Sequence, residues 1–234
     1  MNAALERMRG GLVVSVQAAP GSPLAAPEHL AAIARAVEAG GAAAIRTEGV
    51  DAVRAIGEAV EVPVIGLVKR RVPGSEVYIT PGLEDALAVA EAGAQLVAVD
   101  ATERPRPDGT CGAEFVAAAG AELAGRILAD VDSSNAGSAA ASAGAAAIAT
   151  TLSGYTGAGG ATDAGSAGPD ISLVEELAGT LDLPVLAEGR YGSAEDVSTA
   201  FEAGAFAVVV GTAITDPAEL TRRLAAATPA RADG

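Results

Sequence analysis

Short apolar runs recur along the whole chain, separated by longer segments in which apolar residues fall at helical spacing. The runs are Leu12–Val16, Ala42–Ile45, Val62–Val68, Leu96–Val99, Ile127–Ala129, Ala145–Ala149, Leu183–Ala187 and Phe206–Val210. They are continuous rather than alternating, which predicts strands buried on both faces, hence parallel strands covered by helices. Leu30–Val37 is representative of the helical segments between them. Eight strand–helix units in a chain of 234 residues predict a closed (β/α)8 TIM barrel of the α/β class. We read it as a single domain over residues 1–227, followed by a frayed tail at 228–234.

Punctuation between the runs supports this count. Glu38-Ala39-Gly40, Glu91-Ala92-Gly93, Ser142-Ala143-Gly144 and Glu202-Ala203-Gly204 each precede a strand. Glycine there predicts a helix ended by a left-handed residue. Val62-Pro63-Val64 and Leu183-Pro184-Val185 open strands three and seven, where proline is tolerated. Ser193–Asp196 resembles a capping box, and Asp216-Pro217 reads as an N-cap followed by a first-turn proline. Thr156–Gly168, rich in glycine and alanine, reads as a flexible loop, either over the barrel mouth or simply at the surface.

Composition narrows the function. The net charge of −15 disfavours nucleic acid, and with 3% aromatic residues there is little to stack bases on. No run approaches the ~18 apolar residues of a membrane span, and no export signal opens the chain, so a cytoplasmic setting is expected. A single cysteine, Cys111, and a single histidine, His29, exclude a disulfide within the chain and a cysteine or multi-histidine metal cage. His29 reads as a helix-surface residue.

The basic residues are informative: of 15, all but one are arginine, and the exception is Lys69 at the end of the third apolar run. Arginine keeps its proton near neutral pH, whereas a buried lysine can lose it. Other strand ends are also polar: Gln17, Arg46, Asp100, Asp130, Thr150-Thr151 and Glu188. In a barrel these ends converge on one face, where the active sites of the fold lie. Alternation puts Lys69 on the face of Ile65 and Leu67, Asp130 with Leu128, and Glu188 with Leu186. Lys69, Asp130 and Glu188 therefore share one mouth if those apolar partners fill the barrel. A lysine facing carboxylates suits proton transfer at a carbon next to a carbonyl. Arg46, Arg70 and burial would lower the lysine's proton affinity, and the carboxylates would raise it. Gly189, Gly211 and Thr212, at the ends of strands seven and eight, suit a phosphate held by backbone N–H groups.

Val68-Lys69-Arg70, Ala129-Asp130-Val131, Thr150–Thr156, Ala187–Tyr191 and Val210–Thr215 resemble the N-acetylmannosamine-6-phosphate 2-epimerases. Gly11–Ala18, Ile45-Arg46, Asp100-Ala101-Thr102 and Arg104–Pro107 fit the same pattern, from the first strand to the last. The resemblance implies an isomerase that interconverts N-acetylmannosamine 6-phosphate and N-acetylglucosamine 6-phosphate, with a place in sialic acid catabolism. It implies Lys69 as the acid/base, Glu188 as the second catalytic group, Gln17, Arg46 and Asp130 as sugar contacts, and no metal or organic cofactor. Thr151 and Tyr155 join the expected substrate contacts, and a homodimer is left open.

The chain departs from that family at Asp216, where many members carry an arginine that supports phosphate. It departs again at Thr47-Glu48, where Ala-Asn is common. Gly189, Gly211 and Thr212, or Arg222 from the next helix, would then have to hold the phosphate. Three alternatives stand beside the epimerase: a Schiff-base aldolase, an epimerase of a non-phosphorylated amino sugar, and a non-catalytic ligand-binding barrel.

Overall fold

The computed structural model describes residues 2–19, 21–156 and 168–229. The chain opens with α1 (Ala3–Met8) and then runs β1 (Leu12–Ser15), α2 (Pro27–Ala39), β2 (Ala44–Glu48) and α3 (Val50–Gly57). It continues through β3 (Val64–Leu67), α4 (Leu83–Glu91), β4 (Leu96–Asp100), α5 (Gly112–Ala119), β5 (Ile127–Asp130) and α6 (Ser134–Ser142). The last part is β6 (Ala147–Ala149), α7 (Ile171–Thr180), β7 (Val185–Glu188), α8 (Ala194–Glu202), β8 (Ala207–Val210), α9 (Thr212–Thr215) and α10 (Pro217–Ala225). The eight strands pair in sequence order, all parallel, and β8 closes on β1. The chain is a (β/α)8 barrel.

Two apolar layers hold the fold. The outer one lies between strands and helices and includes Val14, Ile45, Val97, Val116, Ile148, Val174 and Val208. The inner one fills the barrel with Val13, Ala44, Ile65, Leu67, Leu96, Ala98, Leu128, Ala149, Leu186 and Val209. Leu5 and Met8 of α1 also belong to it, at 1% and 0% exposure, and floor the barrel at the N-terminal ends of the strands. Inner and outer residues alternate along each strand, as continuous burial on both faces requires.

Strand limits differ from the apolar runs. β2 begins two residues later than Ala42 and extends through Arg46, Thr47 and Glu48. Polar side chains are tolerated in this ladder because each finds a partner. Thr47 Oγ1, fully buried, donates to the carbonyl of Val16 at 2.8 Å and so fixes the end of β1. The left-handed glycines fall as expected at Gly93, Gly144 and Gly204, but after α2 the left-handed residue is Gly41 and not Gly40. Ser193 caps α8 reciprocally with Asp196, and Asp216 caps α10. His29 is exposed on α2. The segment read as a mouth loop falls largely within 157–167, and most of the tail within 230–234, both outside the described residues.

One feature was not anticipated. After β3 the chain doubles back between Lys69 and Thr80: the N–H of Arg70 donates to Tyr78 (2.9 Å) and that of Thr80 to Val68 (2.6 Å). The N–H of Asp100 then donates to Ile79 at 3.2 Å, so the return arm fills the gap left where β3 and β4 diverge. Thr80 turns the corner at φ 45°, in the left-handed region where a β-branched residue is strained. Its hydroxyl donates to the carbonyl of Ala98 at 2.6 Å and accepts from the N–H of Val68 at 3.2 Å. Arg106 donates to the carbonyls of Thr80 and Asp100 while its guanidinium lies 3.6 Å from the centre of the Phe115 ring. These ties hold the peptide that carries Lys69.

Candidate active site

The C-terminal ends of the strands bring the expected residues into one mouth. Arg46, on β2, is 1% exposed and reaches across the barrel to β5. Its guanidinium donates to both oxygens of Asp130, at 3.0 and 2.6 Å. The same group lies 3.0 Å from Glu188 on β7. Burial works against the charge of Arg46, but the two carboxylates outweigh it and hold the guanidinium above its ordinary proton affinity. Thr151 Oγ1 lies 2.7 Å from Asp130 and 3.0 Å from Glu188.

That hydroxyl has one proton and can donate to only one of the two carboxylates at a time. The second contact is satisfied when Glu188 carries a proton and donates it to the threonine oxygen. The electrostatics agree. Burial, first, and the charge of Asp130 push Glu188 up to about 6, although Arg46 pulls it down. Glu188 is thus a carboxyl group close to gaining or losing its proton near neutral pH.

Lys69 faces this cluster. Its Nζ donates to Gln17 Oε1 at 2.5 Å and lies 3.8 Å from Glu48 Oε2. Partial desolvation in the mouth lowers its proton affinity, with Arg46 acting in the same direction. Glu48, Glu188 and Asp130 oppose that lowering. The side chain keeps 41% exposure, so water still screens these effects. Arg70, expected to act on the lysine, does not: it turns outward and pairs with Asp85 at 2.6 Å and Glu84 at 3.2 Å, fixing the start of α4.

The remaining candidates lie on the rim. Tyr155 is exposed, its ring 5.3 Å from the Arg190 guanidinium, and Arg190 also donates to the carbonyls of Ser153 and Gly168. Gly189 follows β7 at φ 112°, a conformation that side chains rarely adopt. Gly211 follows β8 beside Ser15: a Cβ there would sit 3.2 Å from the Ser15 Cβ, and Thr212 begins α9. Asp216 accepts the N–H of Glu219 at 2.9 Å, which makes it a helix cap. Arg222 pairs with Glu219 at 69% exposure, on the surface of α10. Asp100 is engaged by Arg104 at 2.6 Å and by Thr102.

Reading the residues in sequence noted Glu48 only as a departure from the family and missed Tyr78. Glu48 was legible in principle, because Ala44, Arg46 and Glu48 keep the same alternation. Tyr78 comes to the mouth on the return arm. Burial, and then the charge of Asp130, raise its phenol above its ordinary value.

An amine of lowered proton affinity faces a carboxyl of raised affinity in the mouth of a (β/α)8 barrel, with an arginine between carboxylates beside them. Such a site fits an enzyme that moves protons on and off carbon. The family described as "Putative N-acetylmannosamine-6-phosphate epimerase" matches residues 30–230, and the chain belongs to it. A relative from Cutibacterium acnes named as a putative N-acetylmannosamine-6-phosphate 2-epimerase is 48% identical over 92% of both chains. One of the same name from Caldanaerobacter subterraneus is 43% identical over 94% of this chain and 91% of its own.

Among solved structures, the N-acetylmannosamine-6-phosphate 2-epimerase from Clostridium perfringens superposes with a TM-score of 0.88 at 36% identity, covering 96% of each chain. A thiamine phosphate pyrophosphorylase from Pyrococcus furiosus superposes with a TM-score of 0.59 at 17% identity, a likeness of fold alone.

Proposed function

We propose that this chain interconverts N-acetylmannosamine 6-phosphate and N-acetylglucosamine 6-phosphate by exchanging the proton at C2. The observation that carries this reading is that Lys69 and the Arg46–Asp130–Glu188–Thr151 cluster share one barrel mouth, where the charges of the cluster act on the lysine. In the open-chain sugar, C2 bears the acetamido group and adjoins the aldehyde, so its proton is acidic. The neutral amine of Lys69 takes that proton, and the electron pair moves onto the aldehyde oxygen. Glu188 as a carboxyl donor and Arg46 as a cation stabilise the charge forming on that oxygen. The intermediate then turns its other face of C2 to Lys69, whose ammonium returns the proton there and becomes neutral again as the aldehyde re-forms, which gives the epimer.

Gln17, Asp130, Thr151 and Tyr155 are assigned to the sugar, and the backbone of Gly189, Gly211 and Thr212 to the phosphate. Asp216 stands at the start of α10, where its carboxylate caps the helix by accepting the N–H of Glu219. The reading takes residues 1–227 as one catalytic domain working in the cytoplasm on a sugar phosphate, with sialic acid breakdown as the setting.

The test is proton exchange at C2 in D2O, followed by NMR with each phosphorylated sugar and with the free sugars. Exchange with the phosphorylated pair, abolished in Lys69→Ala, is expected. Exchange only with the free sugars would remove the phosphate from the reading. No exchange with any of the four would overturn it. Borohydride that fixed a substrate adduct on Lys69 would point instead to the Schiff-base aldolase.

A further inference from the structure

We propose that Glu48 is a positioning residue for Lys69: its carboxylate holds the lysine ammonium in the mouth and supplies the anion against which that amine gains and loses its proton. The geometry carries the assignment. Glu48 is the last residue of β2 and pairs in register with Leu67, two residues before Lys69. Both side chains leave their strands toward the mouth, and Nζ and Oε2 stand 3.8 Å apart. Gln17, from the end of β1, accepts from the same Nζ at 2.5 Å. The amine is thus gripped from two neighbouring strands, once by a neutral acceptor and once by a charge.

The two grips act differently. A carbonyl oxygen orients the amine and accepts from it in either protonation state. A carboxylate favours the ammonium. Lys69 also feels Arg46 from β2, Asp130 from β5 and Glu188 from β7, while the hairpin brings Tyr78 beside Asp130. Arg46, Asp130 and Glu188 are tied to one another in the buried cluster, so the arginine offsets one of the two carboxylates. Glu48 has no part in that cluster, and among the described residues its one ion pair is with Lys69. Of the charges that favour the ammonium, Glu48 acts most strongly.

Glu48 has a second use in catalysis. A base that takes a proton must also give it back. Without the carboxylate more of the amine would be neutral, but each neutral amine would be a weaker base. The carboxylate keeps the two directions in balance. This part rests on the epimerase reading above; the pairing itself does not.

The composition offers a direct test, because a chain with one lysine gives one lysine side-chain signal. With lysine labelled at 13Cε, the titration of Lys69 is read by NMR in the intact protein without any substrate. In Glu48→Gln, which keeps an acceptor and removes the charge, the midpoint is expected to move to lower pH. Glu84→Gln, which removes an exposed carboxylate beside Arg70, should leave it in place. Glu48→Asp should bring a smaller fall, and it carries the test should the glutamine variant not fold.

The acid limb of C2 exchange should move in the same direction as the midpoint. An unchanged or raised midpoint in Glu48→Gln overturns the proposal. A lowered midpoint in a protein that never exchanges the C2 proton would uphold the pairing and overturn the epimerase reading instead.

Discussion

Replacing Arg46 by methionine keeps much of the stem volume and removes the charge between two buried carboxylates. Asp130 is 0% exposed and loses both guanidinium contacts, at 3.0 and 2.6 Å, while Glu188 loses its ion pair at 3.0 Å. Breaking a buried pair by removing one partner costs about 3–5 kcal/mol, because the other charge is left without compensation. For a chain of this size each kcal/mol lowers Tm by about 2–4 °C, so a fall of roughly 6–20 °C is expected.

The sign of the pH dependence follows from linkage. Unpaired carboxyls in the folded variant bind protons more tightly than they do in the unfolded chain, so the folded state holds more protons. Its stability then falls as pH rises. Denaturant titrations of wild type and variant at about pH 5 and about pH 8 should therefore show the larger gap at the higher pH. A gap below about 1 kcal/mol at both would refute the view that the arginine stabilises the carboxylates.

Glu188, raised to about 6 from its ordinary 4.5, contributes stability that is complete below about 4.5 and lost as pH rises through about 6. Glu188→Gln should flatten the stability curve across that window; an unchanged slope would contradict the assignment. In Gly112→Ala the new Cβ would sit 2.3–2.6 Å from the backbone of Ala101, which cannot rotate away. A loss of about 1–3 kcal/mol is expected by urea denaturation, and a neutral result would mean that α5 is free to shift. Tyr191 is buried, its hydroxyl has no partner among the described residues, and burial pushes its phenol up to about 12. Tyr191→Phe should be neutral or stabilising by on the order of 1 kcal/mol, and a lowered denaturation midpoint would reveal a partner for the hydroxyl.

The barrel was legible because parallel strands covered on both sides need continuous apolar runs, and residues such as Val97 and Ile148 supply them. The alternation that placed Lys69 over Ile65 and Leu67, and Glu188 over Leu186, holds because those apolar residues fill the barrel. What escaped depends on partners distant in the chain. The apolar run ended at Ile45, yet β2 continues because Arg46 is neutralised 84 residues away, at Asp130. Stopping there hid the place of Glu48 beside Lys69. The Lys69–Thr80 hairpin was hidden for a similar reason: Val77 and Ile79 are too few to mark a strand, and their burial depends on the gap beside β4. Arg70 was misjudged because its carboxylates, Glu84 and Asp85, belong to the next helix.

Among the described residues, the floor made by Leu5 and Met8 closes the far end of the barrel and leaves the mouth as its doorway. Reactant and product must come and go through it in turn, and neither can be drawn off at the far side. The two sugars, alike except at one carbon, therefore obstruct each other, and net conversion depends on whatever carries one of them away outside the protein.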